Sequence, residues 1–223
     1  MQELLQIGAP VLTLVFAVTL AAGFIKGAIG FGLPMIMVAG LAAFLPPDLV
    51  LAVVILPALV SNLWQVAQWG VGETLRTAWG FRLYIGVMLG FLALSAQLVR
   101  LITPNALMLI VGIPVMFFAI IQLVGVSFQP SKRARIPIEA LAAALSGFVG
   151  GLSGIWGPPL VTYLTAIDTP KRRQMRLQGA VYAVAAVALF LAHLRSGVLN
   201  RATMPLSAYA LVPTMLGMWL GAL

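Results

Sequence analysis

The sequence predicts an all-α, polytopic membrane protein made of two inverted repeats, each opening on a helical hairpin broken by glycine and proline. Three observations carry that expectation. Of the 223 residues, 62% are hydrophobic and only 8% charged, and the apolar residues come in runs of about 20, a length a soluble domain can neither bury nor expose. Gly23 to Ile36 (GFIKGAIGFGLPMI) and Gly147 to Leu160 (GFVGGLSGIWGPPL) agree without a gap at Gly23/Gly147, Phe24/Phe148, Gly27/Gly151, Gly30/Gly154 and Pro34/Pro158. Nine of the thirteen basic residues fall in three short connections: Arg76 and Arg82; Lys132, Arg133 and Arg135; Lys171, Arg172, Arg173 and Arg176.

The apolar segments follow in order: Ile7 to Ile25, Leu33 to Leu45, Leu49 to Trp69, Phe81 to Val99, Ala106 to Val126, Ile138 to Leu152, Trp156 to Ile167, Leu177 to Leu194 and Met204 to Leu223. A helix needs about 20 residues to cross a ~30 Å hydrocarbon core. Leu33 to Leu45, Ile138 to Leu152 and Trp156 to Ile167 are too short for a full crossing, and all three flank the duplicated motif. They read as arms of hairpins whose Gly-rich tips lie within the membrane. The other segments read as full spans, with Trp64, Trp69, Trp79 and Trp219 as interfacial anchors. The duplication continues downstream, where Gly70 and Gly197 each follow a span and Gly86-x-x-x-Gly90 answers Gly217-x-x-x-Gly221. The whole chain, 1–223, reads as one transmembrane domain, with repeat one over 7–128 and an incomplete repeat two over 138–223.

Charge sets the topology. The net charge of +8 needs no nucleic acid, because the positive-inside rule puts the three basic connections in the cytoplasm. Arg100, Arg195 and Arg201 then lie outside, together with Pro46, Pro47 and Asp48 and the N-terminus. The loop equivalent to Pro46–Asp48, Asp168 to Arg176, lies inside, so the halves are inverted and their hairpins enter from opposite faces toward the midplane. Internal repeats around interrupted helices mark the binding site of a transporter. The N-terminus carries Glu3 and no basic residue before Lys26, so no cleavable signal peptide is expected. Cysteine is absent, which removes disulfides, thiolate nucleophiles and Cys-based metal sites.

At the tips the chemistry belongs to the backbone. Glycine lets the chain break a helix and approach a ligand, and proline suits the first turn of the next helix, where its missing N–H would be unpaired anyway. Pro34, Pro158 and Pro159 hold that place. The helix N-termini that follow would aim free amides and positive dipole ends at the space between the hairpins, a site for an oxyanion. A blander reading makes Gly23/Gly27 and Gly147/Gly151 close-packing glycines; it leaves the prolines, the short arms and the recurrence unexplained.

The two motifs resemble the duplicated signature of the sulfite exporter TauE/SafE family, also called the probable membrane transporter family. The similarity covers nearly the whole chain, including Ser61-Asn62, the Gly70 loop and Lys171 to Arg176 before Gln178. It implies a multi-pass carrier of the bacterial inner membrane for sulfite, sulfonates or other small sulfur-containing anions. Family members as a rule have eight spans, whereas here the second half stops just after Gly221. The helix answering Ala106 to Val126 is thus expected to be missing, or supplied by a partner or a second copy.

Lys26 is the most informative side chain, since a cation in an apolar segment costs at least about 2.5 kcal/mol; it either pairs with a substrate anion or snorkels to an interface. Asn62 and Gln65 share a helical face beside Ser61, and Gln178 and Tyr182 form a similar pair; each can bind a ligand or glue helices together. His193, the only histidine, is either a proton relay or an interfacial residue. The expected substrate-binding set is Lys26, Gly27, Gly30, Gly32, Pro34, Asn62, Gln65, Gly151, Gly154, Gly157, Pro158 and Gln178. Asp48, Asp168, Glu73 and Glu139 lie in or beside loops, so no intramembrane carboxylate pair is available for acid/base work or a metal cation. A Ser153–His193 pair would require the fold to join them. The expectation is therefore no enzyme, no cofactor, and as partners a lipid bilayer and a small anion, with an assembly subunit or an anion channel as alternatives.

Overall fold

The computed structural model describes residues 8–124, 129–131 and 133–223. Glu3, Ile7, Lys132, Val126 and the outer bounds of the first repeat lie outside them, as does the side chain of Trp69. Ten helices are present among the described residues: α1 Ala9–Ile29, α2 Leu33–Leu41, α3 Pro47–Trp69, α4 Val71–Gly80, α5 Arg82–Leu98, α6 Pro104–Val124, α7 Arg135–Ser153, α8 Gly157–Ala166, α9 Lys171–Ser196 and α10 Met204–Gly221. Five of these are long and apolar enough to cross a membrane, or six if α4 and α5 count as one bent span. The protein is a polytopic α-helical membrane protein.

The two hairpins form where glycine reverses the backbone. Gly30 ends α1 and Gly154 ends α7, at φ/ψ of 84/−2° and 76/5°, and each donates its N–H four residues back, to Lys26 O and Gly150 O at 2.7 Å. This is the left-handed helix stop that L side chains avoid. Pro34 and Pro158 then sit in the first turns of α2 and α8. The correspondence continues at Pro46 and Pro170, which cap α3 and α9 with nearly the same backbone angles. These equivalent helices run antiparallel: Gly179, early in α9, faces Gln65 late in α3, while Val54 and Leu189 both face Gly154. Equivalent helices of opposite direction are the geometry of inverted halves.

Two expectations are corrected here. Ile138 to Leu152 is not a short arm, because α7 has 19 residues and is roughly 28 Å long at 1.5 Å per residue; its basic first turn hid the true start. With α1 at 21 residues, both first arms are nearly full spans. The tips therefore pass one another: Gly30 lies beside Gln65 and Met175, near the C-terminal end of α3 and the basic start of α9, and Gly154 lies toward their opposite ends. What meets between them is the start of the short arms, with Pro34 against Gly154.

The halves are held together by exchange. In α1, a Cβ on Gly23 or Gly27 would collide with Thr214 O or Met218 O of α10; in α7, one on Gly147 or Gly151 would collide with Met88 O or Leu92 O of α5. Each first arm thus packs backbone to backbone on a helix of the other half, α1 on α10 and α7 on α5, and the close-packing role of these four glycines is real. Met88 and Thr214 play one part, Leu92 and Met218 the other. The proposed equivalence of Gly86/Gly90 with Gly217/Gly221 is therefore wrong by register. Gly217 and Gly221 touch Leu20 O and Phe24 O, whereas Gly86 and Gly90 face open space. Gly86→Ala and Gly90→Ala are expected to change thermal stability by no more than about 0.5 kcal/mol, measured by thermal unfolding in detergent.

A helix that the apolar segments did not mark is α4. It meets α5 at 87°, a sharp bend between two helices that pass as a span only when taken together. None of its side chains is buried. The two ends of the bundle also separate the charges: Arg100 lies with Gly197 and Asn200 at one end, Arg76 with Arg172, Arg173 and Arg176 at the other.

Candidate functional site

Lys26 sits one turn before the first hairpin tip and is only 2% exposed. The α3 face that carries Ser61, Asn62 and Gln65 is what receives that tip. The Lys26 ammonium donates to Ser61 Oγ at 3.0 Å and to Asn62 Oδ1, and Gln65 Nε2 donates to Gly30 O at 3.1 Å. An ammonium has three protons to give. Two are used, and no carboxylate is paired with it among the described residues. Moving 124 positions along from Lys26, Ser61, Asn62 and Gln65 gives Gly150, Ala185, Ala186 and Leu189. The polar cluster belongs to one half alone, within a scaffold that both halves share.

Lys26 also lies in the walls of two cavities. The first, of about 350 Å³, opens between the hairpins and is lined by Gly32, Pro34, Asn62, Gly154, Gly157 and Pro158, with Trp156 and Tyr182. Both half-helix N-termini, of α2 and α8, begin in this wall. The second, of about 320 Å³, lies toward the basic end and is lined by Gly27, Gly30, Gln65, Gln68, Met175 and Trp219. Lys26 is common to both.

Most of the expected site residues are thus brought together around one ammonium, though in two groups. Gly151 is in neither wall; it packs on α5 at Ser95 and Leu92. Gln178 is buried in α9 but lines neither cavity. Its neighbour in the expected pair, Tyr182, is the one that does. The Tyr182 hydroxyl is buried without a hydrogen-bond partner among the described residues, close to where a Cβ on Gly157 would stand. An unpaired buried hydroxyl is costly, by about 1–3 kcal/mol, and of the pair Gln178 and Tyr182 it is Tyr182 that lines the first cavity.

His193 is fully buried. Its Nε2 lies 2.9 Å from Gly151 O and its Nδ1 2.9 Å from Ser196 Oγ. A carbonyl only accepts, so Nε2 carries the proton and Nδ1 accepts from Ser196. The side chain clamps α9 to α7. Ser153 donates instead to Val149 O at 2.8 Å, so the fold does not join Ser153 to His193.

The hairpin glycines differ in what surrounds them. A Cβ on Gly30 would have 3.6 Å to its nearest neighbour, while one on Gly154 would lie 3.2 Å from Val54 Cγ1. Both have positive φ. Asparagine tolerates that backbone better than other L residues, so Gly30→Asn is expected to fold and Gly154→Asn to lose stability, read as the detergent-solubilised fraction that remains monodisperse on heating. Gly154→Val adds β-branching and should be worse than either.

Fold and site together define a helical membrane protein in which two crossed, Gly/Pro-broken hairpins enclose a buried lysine with no carboxylate partner among the described residues. The chain belongs to the sulfite exporter TauE/SafE family, a family of membrane transporters, whose model matches residues 15–223. Neither a curated protein nor a solved structure matches the chain.

Proposed function

We propose that this protein carries small sulfur-containing oxyanions, sulfite or sulfonates, across the inner membrane by alternating access, with export the favoured direction and the N-terminus outside. The observation that carries the reading is Lys26: a buried ammonium with one unused donor and no carboxylate partner among the described residues, placed where two cavities meet. Its charge is worth burying if an anion completes it. In the first cavity the anion takes the free Lys26 proton, with the positive ends of α2 and α8 adding their dipoles and Tyr182 offering a hydroxyl. In the second, the same ammonium is met from the basic face, past Gln68 and Met175. One cation serving both sides is what an anion needs to pass between them without losing its countercharge.

The test is uptake of labelled sulfite or sulfoacetate by vesicles holding the purified protein. A carrier saturates and shows counterflow when the vesicles are preloaded; flux that rises linearly without counterflow supports a pore, and no flux above empty vesicles refutes transport of these anions.

A further inference from the structure

At the basic end of the bundle the helix α4, bent 87° from α5, presents two opposite faces. Val71, Leu75 and Trp79, four residues apart, form one; they are 59%, 64% and 73% exposed. An exposed apolar stripe on a helix lying along a membrane face is buried among acyl chains. The opposite face, Glu73, Arg76, Thr77 and Gly80, turns toward the first turns of α9 and closes with them a concave pocket of about 580 Å³, whose other walls include Arg172, Arg173 and Arg176. Four guanidinium groups surround one carboxylate. Glu73 answers Arg176 at 3.2 Å and Arg76 at 3.9 Å, while Arg172 and Arg173 have no ion-pair or hydrogen-bond partner among the described residues.

We propose that this pocket binds the headgroup of an anionic phospholipid. The phosphodiester lies against Arg172, Arg173 and Arg76, whose planar forks match phosphate oxygens, and the acyl chains run beside Leu75 and Trp79. A cluster of basic residues next to a spanning helix attracts any anionic surface. The added feature here is that α4 carries arginine on its pocket face and an apolar stripe on the other, so that a lipid standing beside the helix sets its phosphate at the arginines and its chains along the stripe. This reading stands apart from the transport proposal, because the pocket shares no residue with the Lys26 cavities.

Native mass spectrometry of the delipidated full chain in detergent tests it, titrating phosphatidylglycerol against phosphatidylcholine of the same chain length. Phosphatidylglycerol should bind at least tenfold more tightly, and the double variant Arg172→Gln/Arg173→Gln should lose that preference. The same change at the other end of the bundle, Arg195→Gln/Arg201→Gln, should keep it, which separates loss of a site from loss of net charge. Leu75→Ala/Trp79→Ala should also weaken phosphatidylglycerol, a dependence that a free phosphate would not show. Equal binding of the two lipids, or an unchanged preference in the Arg172/Arg173 variant, overturns the proposal. So does displacement of the lipid by millimolar inorganic phosphate, which would make the pocket a site for soluble anions.

Discussion

Gly23→Ala forces α1 away from α10. A Cβ at this position overlaps Thr214 O and comes within 3.0 Å of Thr214 Cα, and a backbone carbonyl in a helix has no rotamer by which to yield. The same contact is met from the other side by Gly217, whose Cβ would strike Leu20 O. Relief requires the two helices to separate, opening a packed interface between the halves. Overpacking of this kind costs about 1–3 kcal/mol where side chains can adjust, so the upper part of that range is expected here. For a chain of this size that corresponds to a fall in melting temperature of roughly 4–12 °C. The matching change Gly147→Ala, against Met88 O, should do the same between α7 and α5. Thermal unfolding in detergent, with Gly86→Ala as control, checks this; equal melting temperatures for Gly23→Ala and Gly86→Ala would show that the helices are not in backbone contact.

The second large effect is on ligand affinity, with little change in the fold. In Lys26→Met the chain loses a cation that costs at least about 2.5 kcal/mol to bury, and Asn62 Oδ1 loses its donor, a penalty of about 1–3 kcal/mol. The two nearly cancel, so thermal stability should move by less than about 1 kcal/mol. Anion binding has no such compensation. Removing one member of a buried, hydrogen-bonded charge pair costs about 2–5 kcal/mol, which is about 30-fold to several thousand-fold in Kd. Binding of sulfite measured by calorimetry should therefore disappear from the accessible range while the melting curve barely shifts. Unchanged affinity would remove Lys26 from the site, and with it the main support for an anionic substrate.

The hairpin breaks were legible because they are local. Gly30 and Gly154 stop their helices at positive φ, a condition the residue itself meets, and Pro34 and Pro158 start the next helices by the same short-range logic. The duplicated spacing from Gly23 to Pro34 and from Gly147 to Pro158 carried this without any knowledge of the partner helices. Lys26 was also legible, because one cation in an apolar run stands out against its neighbours. Gln178 and Gly151 show the limit. Both sit at the spacing a site would need, yet one faces away from the cavities and the other is spent on packing against α5. Helix α4 was hidden for a different reason: with ten residues and two charges, Glu73 and Arg76, it has the length and composition of a loop.

The sequence by itself determined that the chain crosses a membrane and where its two Gly/Pro hairpins break. Only the tertiary structure decided which side of each helix meets protein. In water the apolar face of a helix is the buried one, and the pattern of residues reveals it. In a bilayer the lipid-facing side is just as apolar, so the small residues at Gly86 and Gly90 look the same in sequence as those at Gly217 and Gly221. Their difference lies in the register between α5 and α7 and between α10 and α1, and that register is set by carbonyl oxygens meeting Gly23, Gly27, Gly147 and Gly151 across the interface of the two halves.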